Sequence, residues 1–517
     1  MKQHPRCTDC ENPITPLDLP IPTTLKQEWA AIETRRRFLG RSGKVLGWAA
    51  LAGLCGEIGL HKYANGAEIK APSSTVTGND LGLPHFAPKA KRAIYLFMSG
   101  GPPQMDLFDY KPNLAAQFDK DMPASVRGNQ QLTGMTAGQA RFPVAPSHWP
   151  FAQHGETGTW VSDLLPYTAR MIDDLTITKT THTDAINHEP AIMLMNTGNM
   201  NAGKPCLGAW LAYGLGSMND NLPTFIVLQT KTNPKENNQP VSSRLWSSGF
   251  LSSEYAGVGL RSGADPVLYL ENPAGVDGEV RRQMLDTVEK INRQTLAEVG
   301  DPETNARIAQ YEMAFRMQSS VPELTDLSKE PQSTWDLYGP DAKQPGTFAY
   351  NCLLARRMAE RGVRFTQIYK RGWDVHDNAV GMLPVLCQET DRGAYALVTD
   401  LNRRGLLDDT LVIWAGEFGR TVYSQGGLSH ENYGRDHHPR CFTTWMAGGG
   451  VRPGITYGET DDYSYNVVKD GVHVRDFNAT ILHCLGIDHN RFTYEFQGLD
   501  QKLTSPVPAY VVQGLLA

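Results

Sequence analysis

Short apolar runs alternate with longer segments of helical periodicity along most of this chain. The apolar runs cover residues 93–98, 222–228, 363–369 and 411–414. Apolar positions recur at helical spacing over residues 163–174, 279–297, 305–317, 347–360 and 391–404. A chain that alternates buried strands with amphipathic helices builds a mostly parallel sheet covered by helices on both faces. The pattern therefore predicts an α/β fold.

The segment NHEPAIMLMNTG, residues 187–198, has the punctuation of a short helix. Pro190 lies in its predicted first turn and Gly198 follows its apolar run, as expected of proline and glycine at helix ends. His188 then lies at the helix N-terminus, where backbone N–H groups and the helix dipole favour anions. Local capping and membership of a functional site are both open roles for this imidazole.

The first 66 residues are predicted to be a twin-arginine signal region. Arg35, Arg36 and Arg37 form the arginine pattern, and the apolar run at 45–60 is too short and interrupted for a comfortable membrane span. Cleavage is predicted before Ala67. The processed protein would reach the periplasm, or otherwise leave the cytoplasm, through the twin-arginine export machinery and keep no stable membrane span.

Composition predicts the domain organisation of the remaining chain and excludes two classes of protein. Residues 67–90 are predicted to be a linker, residues 91–517 one domain, and the polar stretch 230–265 a surface insertion in that domain. The 517 residues carry a net charge of −6 without a basic stretch that would suggest nucleic acid binding. Five cysteines, an odd number without metal-site spacing, follow the predicted cleavage site, which excludes a disulfide-stapled scaffold.

Acidic residues and histidines follow the predicted strands. Ligands of open α/β sheets bind outside the carboxyl ends of the strands, so a functional site is expected there. Asp109, His182 and Asp184 belong to this group of polar residues. Its candidate metal ligands are Asp106, His188, Asp374, His376, Glu417, Asp436, His437 and His438.

The chemistry of this set indicates a metal. Carboxylates mixed with imidazoles, without thiolates, suit one or two divalent ions such as Zn²⁺, Mn²⁺, Ca²⁺ or Mg²⁺. Two such ions can stabilise the attacking and leaving oxygens of phosphoryl or sulfuryl transfer. Arg420 and Arg435 have two open roles, since each could hold the oxygens of an oxyanion or pair with a neighbouring carboxylate.

Seven motifs together resemble a family of exported bacterial proteins, domain-of-unknown-function family 1501. They are FMSGGPPQMDLFDYKP, NHEPAIMLMNTG, LLARRMAERGVRF, GWDVHDN, TLVIWAGEFGRT, GRDHHP and MAGGGVRPG, spread from about residue 91 to the C-terminus. That family is similar to the alkaline phosphatase and sulfatase superfamily. The resemblance implies an alkaline phosphatase-like three-layer sandwich, with a central, mostly parallel sheet flanked by helices and one or two metals.

The superfamily pattern assigns roles to the candidate residues by resemblance. Sulfatases carry a Cys or Ser nucleophile two residues before a proline, and His188 occupies that position here. The same pattern implies metal-binding positions for Asp106, Asp374, His376, Glu417 and either His437 or His438, with Phe418 at a position that usually holds a histidine or asparagine. His188 therefore has three open roles: a metal ligand, a phosphoryl-accepting nucleophile, or a remnant in a protein without ester chemistry.

The C-terminal motif departs from the family pattern. Relatives commonly carry histidines where this chain has Arg475 and Asn478, so residues 472–489 are not assigned to the site.

These inferences predict an exported, metal-dependent hydrolase of phosphate or sulfate esters, acting on a small-molecule or polysaccharide ester with His188 in place of the usual nucleophile. A metal-activated water would attack the ester. The alternative is a non-catalytic, metal-stabilised binding or structural protein of the periplasm, beside exported polysaccharide machinery. An open coordination position favours the enzyme, whereas a site closed by protein ligands favours the alternative.

Overall fold

A computed structural model describes residues 82–231, 239, 241–261, 266–267, 272, 275–301, 303–504 and 506–517 of the protein. The predicted signal region, residues 1–66, and most of the predicted linker lie outside the described residues. No described helix combines the length and the apolar character that crossing a membrane requires.

Within the described residues, nine strands form the central sheet, and the remaining strands pair as short two-stranded sheets. The strands are β1 Arg92–Met98, β2 Phe151–His154, β3 Thr159–Ser162, β4 Leu175–His182, β5 Phe225–Gln229, β6 Val258–Leu260, β7 Phe365–Lys370, β8 Thr410–Ala415, β9 Gly419–Gln425, β10 Gly434–His438, β11 Phe442–Ala447, β12 Ile455–Tyr457, β13 Glu459–Thr460, β14 Val467–Lys469, β15 Val472–His473, β16 Tyr494–Phe496 and β17 Leu499–Gln501. The sheet order is β12-β4-β11-β8-β1-β7-β5-β6, and β15 pairs with β4. Among the described strands of this sheet, only β11 runs antiparallel to its neighbours, β4 and β8.

Helices cover both faces of this sheet. They are α1 Gln104–Leu107, α2 Ala124–Arg127, α3 His188–Thr197, α4 Leu207–Leu215, α5 Gly278–Val299, α6 Glu303–Thr325, α7 Gln332–Tyr338, α8 Phe348–Glu360, α9 Ala379–Arg403 and α10 Val474–Cys484. Successive residues of a strand point to opposite faces. Leu96 and Met98 of β1 therefore pack into a core with α8 and α9, whereas Tyr95 and Phe97 pack into a second core with α3, α4 and α10.

This arrangement confirms the predicted fold class: a three-layer α/β sandwich around a mostly parallel sheet. All four predicted strands are present, as β1, β5, β7 and β8. The strand β4 escaped prediction because threonines interrupt its apolar residues. Those threonines are satisfied inside the sheet; the hydroxyls of Thr181 and Thr444, for example, lie 2.9 Å apart.

Two predicted helices have different bounds in the structure. Over residues 163–174 only a 3₁₀ helix, Thr168–Asp174, is present, since Pro166 interrupts the segment and its ring opposes an α-helix there. The helix predicted at 391–404 is the C-terminal part of α9, which begins at Ala379 and continues through Pro384.

The stretch 230–265, expected to be a surface insertion, contributes to the core over its described residues. It supplies β6, the edge strand that pairs in parallel with β5. Leu245 and Leu251 are buried in the second core, beside α3 and α4.

Candidate metal centre

Three neighbouring strands bring the polar residues together at one edge of the sheet. Because β1 runs parallel to both β7 and β8, the carboxyl ends of these strands meet there. Asp374 and His376 follow β7, Glu417 follows β8, and His437 lies in β10. The helix predicted within residues 187–198 is confirmed as α3, which begins at His188. Gly198, which follows the last residue of the helix, has the left-handed backbone conformation.

Four of these side chains form a cluster with the geometry of a metal site: His188, Asp374, His376 and His437. One ligand atom from each lies within 4.8 Å of all the others. The Nε2 atoms of His188, His376 and His437 lie 3.1, 2.8 and 3.5 Å from Oδ1 of Asp374. Ligands bonded at about 2.0–2.1 Å to a tetrahedral ion are separated by about 3.3 Å, so these distances fit one ion.

Each histidine of the cluster is anchored through its other ring nitrogen. Nδ1 of His188 lies 2.6 Å from Oε1 of Glu417, and Nδ1 of His376 lies 2.7 Å from Oε1 of Gln425. Nδ1 of His437 lies 2.8 Å from the carbonyl oxygen of Ile186. Since all three neighbours are oxygen acceptors, each Nδ1 donates its proton and leaves the Nε2 lone pair directed at the cluster. This is the outer-shell pattern of metal-ligating histidines.

The burial of these atoms supports the fit to a cation. Nε2 of His188 and Nε2 of His437 are buried, have no hydrogen-bond partner among the described residues, and lie at ion-pair distance from the Asp374 carboxylate. Oε2 of Glu417 is likewise buried and has no partner within the described part of the chain. Buried polar atoms normally have partners, so an ion bound at the cluster would satisfy both nitrogens.

Asp374 is held as a carboxylate at the centre. Burial raises its pKa, but the neighbouring imidazoles of His188, His376 and His437 and the charge of Arg420 outweigh burial and hold the pKa far below its usual range. The Arg420 guanidinium lies 2.5 Å from Oδ1, and the Gln239 amide donates to Oδ2 at 2.5 Å.

The pKa values of His188 and His437 shift in opposite directions. Burial lowers the pKa of His188, but the carboxylates of Asp374 and Glu417 beside its two ring nitrogens outweigh this effect and leave the pKa raised. Burial together with the nearby charge of Arg420 lowers the pKa of His437, against the attraction of the Asp374 carboxylate. The lowered pKa favours the neutral imidazole, which is the form that ligates metals.

Both arginines proposed as oxyanion holders form buried ion pairs instead. Arg435 grips Asp106 with two nitrogens, at 2.7 and 3.0 Å, and neither side chain is exposed. Arg420 pairs with Asp374 and also donates to the carbonyl oxygens of Gly101 and Arg435. Their donors are consumed by protein acceptors, so the ion-pair alternative describes both residues and neither faces an external anion.

Three further candidate ligands lie outside the cluster. Asp106 is occupied by Arg435 and by the Tyr433 hydroxyl, which donates to it at 3.2 Å. Asp436 accepts hydrogen bonds from the hydroxyls of Thr133 and Thr136. Nε2 of His438 lies 2.7 Å from the Tyr465 carbonyl. His437 and His438 are consecutive in β10, so they point to opposite sides and only His437 reaches the centre.

Glu417 supports the centre rather than joining the four donors. Its Oε1 accepts from Nδ1 of His188 and from the backbone N–H of Gly100 at 2.9 Å. Phe418, at a position that resemblance assigns to a polar ligand, packs instead against the rings of His188 and His437, with centroids 4.8 and 4.5 Å away.

Sequence reasoning missed Gln239 and Gln425, and it also missed the Ile186 carbonyl. No local sequence signal marks a neutral amide as the hydrogen-bond partner of a distant ligand. His182 and Asp184 lie elsewhere, next to His473 and Arg475: the Arg475 guanidinium donates to Asp184 at 2.8 Å, and the rings of His182 and His473 lie 5.3 Å apart.

Two glycines allow the backbone segments of the centre to approach each other. Gly100 has a φ of +123°, and a Cβ there would collide with the backbone of Trp373 and Asp374. Gly434 lies against the backbone of His376 and Asp377, where a Cβ would collide with the His376 carbonyl. Only glycine fits either position.

The fold and the cluster together define an α/β protein with a candidate metal centre at the carboxyl edge of its sheet. Residues 90–516 match the model of the family described as protein of unknown function DUF1501. The chain belongs to that family, as its motifs predict. No curated protein matches the sequence.

Solved structures similar to this chain include a phosphonate monoester hydrolase, a sulfatase and a protein of the alkaline phosphatase superfamily, each at low identity. The phosphonate monoester hydrolase from Silicibacter pomeroyi is 11% identical, covering 77% of this chain and 73% of its own, with a TM-score of 0.31. The PsFucS1 sulfatase from Pseudoalteromonas sp. is 11% identical, covering 79% and 70%, with a TM-score of 0.29. An alkaline phosphatase superfamily protein from Vibrio parahaemolyticus is 10% identical, covering 82% and 72%, with a TM-score of 0.30.

Proposed function

We propose that the protein is an exported hydrolase of phosphate or sulfate esters that works with one divalent ion held by His188, His376, His437 and Asp374. The observation that carries the proposal is the convergence of three Nδ1-anchored imidazoles on one carboxylate oxygen. Three histidines and one carboxylate, without thiolates, suit Zn²⁺ first and Mn²⁺ next.

Such an ion supplies Lewis acidity, which polarises an ester oxygen and lowers the pKa of a water molecule. The protein's own residues hold and enclose it. Glu417 orients His188, and Arg420 with Gln239 fixes the Asp374 carboxylate. The side chains of His188 and His376 keep 11% and 18% exposure, whereas that of His437 keeps 4%. A substrate would therefore approach from the side of His188 and His376.

The geometry supports a ligand role for His188 over a nucleophilic one. Its Nδ1 is occupied by Glu417 and its Nε2 is directed at Asp374 and the other two imidazoles. A nucleophile needs a nitrogen with its lone pair free for the substrate.

The composition of the donor set also favours a second candidate, the non-catalytic metal-stabilised protein. Four protein donors fill a tetrahedral ion, and closed sites of this kind are typical of structural metals. Hydrolysis needs either a fifth coordination position or the withdrawal of Asp374, whose second oxygen is already bound by Gln239.

Metal analysis followed by ester screening separates these functions. We expect about one divalent ion per folded chain by mass spectrometry, lost in His376→Ala and His437→Ala but kept in the control His430→Ala, an exposed histidine stacked on Phe118. Aryl phosphate, phosphonate and sulfate esters are then offered to the metal-loaded protein. Metal-dependent turnover supports the hydrolase; tight metal without turnover supports the structural alternative; a metal-free wild type contradicts both.

The export proposal has its own test. Replacing Arg35 and Arg36 with lysine should leave the precursor in the cytoplasm of its bacterial host. The unchanged precursor should likewise stay in the cytoplasm of a host that lacks the twin-arginine translocase. The control, Lys26→Gln, should still be exported. Secretion of the double variant at the normal level would contradict the proposal.

A further inference from the structure

A cavity of about 430 Å³ lies apart from the four metal donors, and none of those donors lines it. Its walls come from the hairpin β2–β3, the segment after α1, and the strands β4 and β12. The lining combines aromatic rings, threonine hydroxyls and one ammonium group, contributed by Tyr110, Trp160, Thr157, Thr159, Thr456 and Lys179.

The aromatic part is a supported, exposed platform. The Trp160 side chain is 39% exposed, and the Tyr110 ring lies 4.6 Å from it, centroid to centroid. Tyr110 in turn stacks on Phe151 at 4.9 Å with an interplanar angle of 20°. Packing against Tyr110 restricts the Trp160 ring before any ligand arrives, so a flat ligand face can stack on Trp160 at little entropic cost.

The hydroxyl part forms a row along the rim. The hydroxyl oxygens of Thr157 and Thr159 lie 3.1 Å apart, and those of Thr159 and Thr456 lie 3.3 Å apart. Each hydroxyl can donate one hydrogen bond and accept others, so the row can exchange bonds with a ligand that itself carries several hydroxyls.

The charged part is positive. Lys179 is the only charged side chain among the described residues that line the cavity. Its Nζ lies 3.3 Å from Oδ1 of the buried Asp109, and Nζ of Lys111 lies 3.5 Å from the same oxygen. Two ammonium groups share one carboxylate, which leaves a local excess of positive charge beside the cavity and favours an anionic ligand.

We propose that this cavity binds an acidic saccharide. A sugar ring stacks its C–H face on the exposed Trp160, which Tyr110 supports, its hydroxyls bond to the threonine row, and its carboxylate or sulfate group meets Lys179. A stacking platform beside a hydroxyl row fits a ring that is apolar on its faces and polar at its edge. The inference is independent of ester hydrolysis, because it needs neither the metal nor turnover.

Calorimetric titration of the full-length protein tests the proposal. The probes are a polygalacturonate hexasaccharide and a heparin hexasaccharide, which distinguish a carboxylate from a sulfate ligand, with neutral maltohexaose as reference. At least one acidic probe should bind about tenfold or more tightly than maltohexaose. Absence of binding by both acidic probes would overturn the proposal.

Variants locate the binding. Trp160→Ala should weaken binding by about tenfold or more, the loss of one stacking contact, and Lys179→Gln should remove the preference for acidic over neutral probes. Tyr510→Ala, another exposed aromatic side chain that does not line the cavity, serves as the control and should bind normally. An unchanged thermal unfolding midpoint verifies the fold of each variant. If Trp160→Ala binds as tightly as the wild type, the proposed site is wrong.

Discussion

Glu417 differs from the four donor residues because it contacts the centre only through His188. Its carboxylate fixes the tautomer and orientation of the imidazole and increases its basicity as a ligand. Glu417→Gln preserves the shape but removes the charge. We expect metal affinity to fall about 10- to 100-fold with one ion still bound at saturation, measured by competition with a fluorescent chelator.

The variant His376→Ala lacks one of the four donors. Unlike Glu417→Gln, it should bind no stoichiometric ion. Equal affinities of Glu417→Gln and the wild type would mean that Glu417 does not support the centre.

Asp106, which the sequence predicts to be a metal ligand, is instead the buried counter-ion of Arg435 in the structure. Replacing it with Asn leaves the guanidinium of Arg435 buried without its counter-ion. We expect Asp106→Asn to lower the free energy of unfolding by about 3–5 kcal/mol, measured by urea denaturation, while the folded variant keeps one ion per chain. Loss of the ion from the folded variant would restore Asp106 as a ligand.

The candidate residues show what sequence reasoning can and cannot decide. The candidate acids and histidines include all four donors that the structure brings together. The sequence does not reveal which neighbours compete for them: Asp106 is taken by Arg435, a residue far along the chain. Likewise, only the register of β10 decides that His437 and not His438 faces the centre.

The loop after β1 shows how one element positions another. Gly100 lies against the backbone of Asp374 at a φ of +123°, and its N–H binds Glu417. Gly100→Ala would force the segment after β7 away from β1, so we expect a large loss of stability and metal affinity lowered by at least about tenfold, a shift of about 1.4 kcal/mol. Thermal melts and metal titration measure the two effects.

Gly426→Ala is the matched control, because its φ is +71° but a Cβ there would contact nothing. Its cost should be limited to the backbone strain of about 1–2 kcal/mol, with normal metal affinity. Similar metal affinities in the two variants would show that the approach of Gly100 to Asp374 does not shape the centre.

Elements were predictable where their apolar residues are continuous. The runs that became β1, β5 and β8 are buried on both faces, and their sequences are almost wholly apolar. The run that became β7 is also buried, although it includes Thr366, Gln367 and Lys370. The strand β4 is also central, but threonine hydroxyls bonded within the sheet replace apolar groups there. The antiparallel β11 follows from the path of the chain after β10, which no local pattern specifies.

The whole molecule depends on contacts between helices as well as on the sheet. Glu330, in the segment between α6 and α7, binds Arg356 at 2.5 Å and Arg357 at 2.6 Å, both on α8. Arg356 also reaches Asp400 of α9 at 3.0 Å. This buried network ties together the helices on one face of the sheet, so its charge state bears on the stability of the entire fold.

The Glu330 network predicts acid sensitivity of a definite sign. Burial raises the pKa of Glu330, but the hydrogen bond from Arg357 and the charge of Arg356 outweigh burial and leave the pKa lowered. The ionised form therefore stabilises the fold above the unfolded-state pKa of about 4.3, and this contribution is lost as the pH falls toward the folded-state pKa. Glu330→Gln should be less stable by about 3–5 kcal/mol at pH 7, and the difference should narrow below pH ~4.3.

Urea unfolding at pH 7 and at pH ~3.5, below the unfolded-state pKa, measures this difference. A chelator is present in both series so that metal release does not contribute. Glu459→Gln, which removes an exposed partner of Lys469, is the control and should change stability by less than about 1 kcal/mol at either pH. A deficit of Glu330→Gln that is the same at both pH values would mean that the lost stability comes from packing and not from the charge of Glu330.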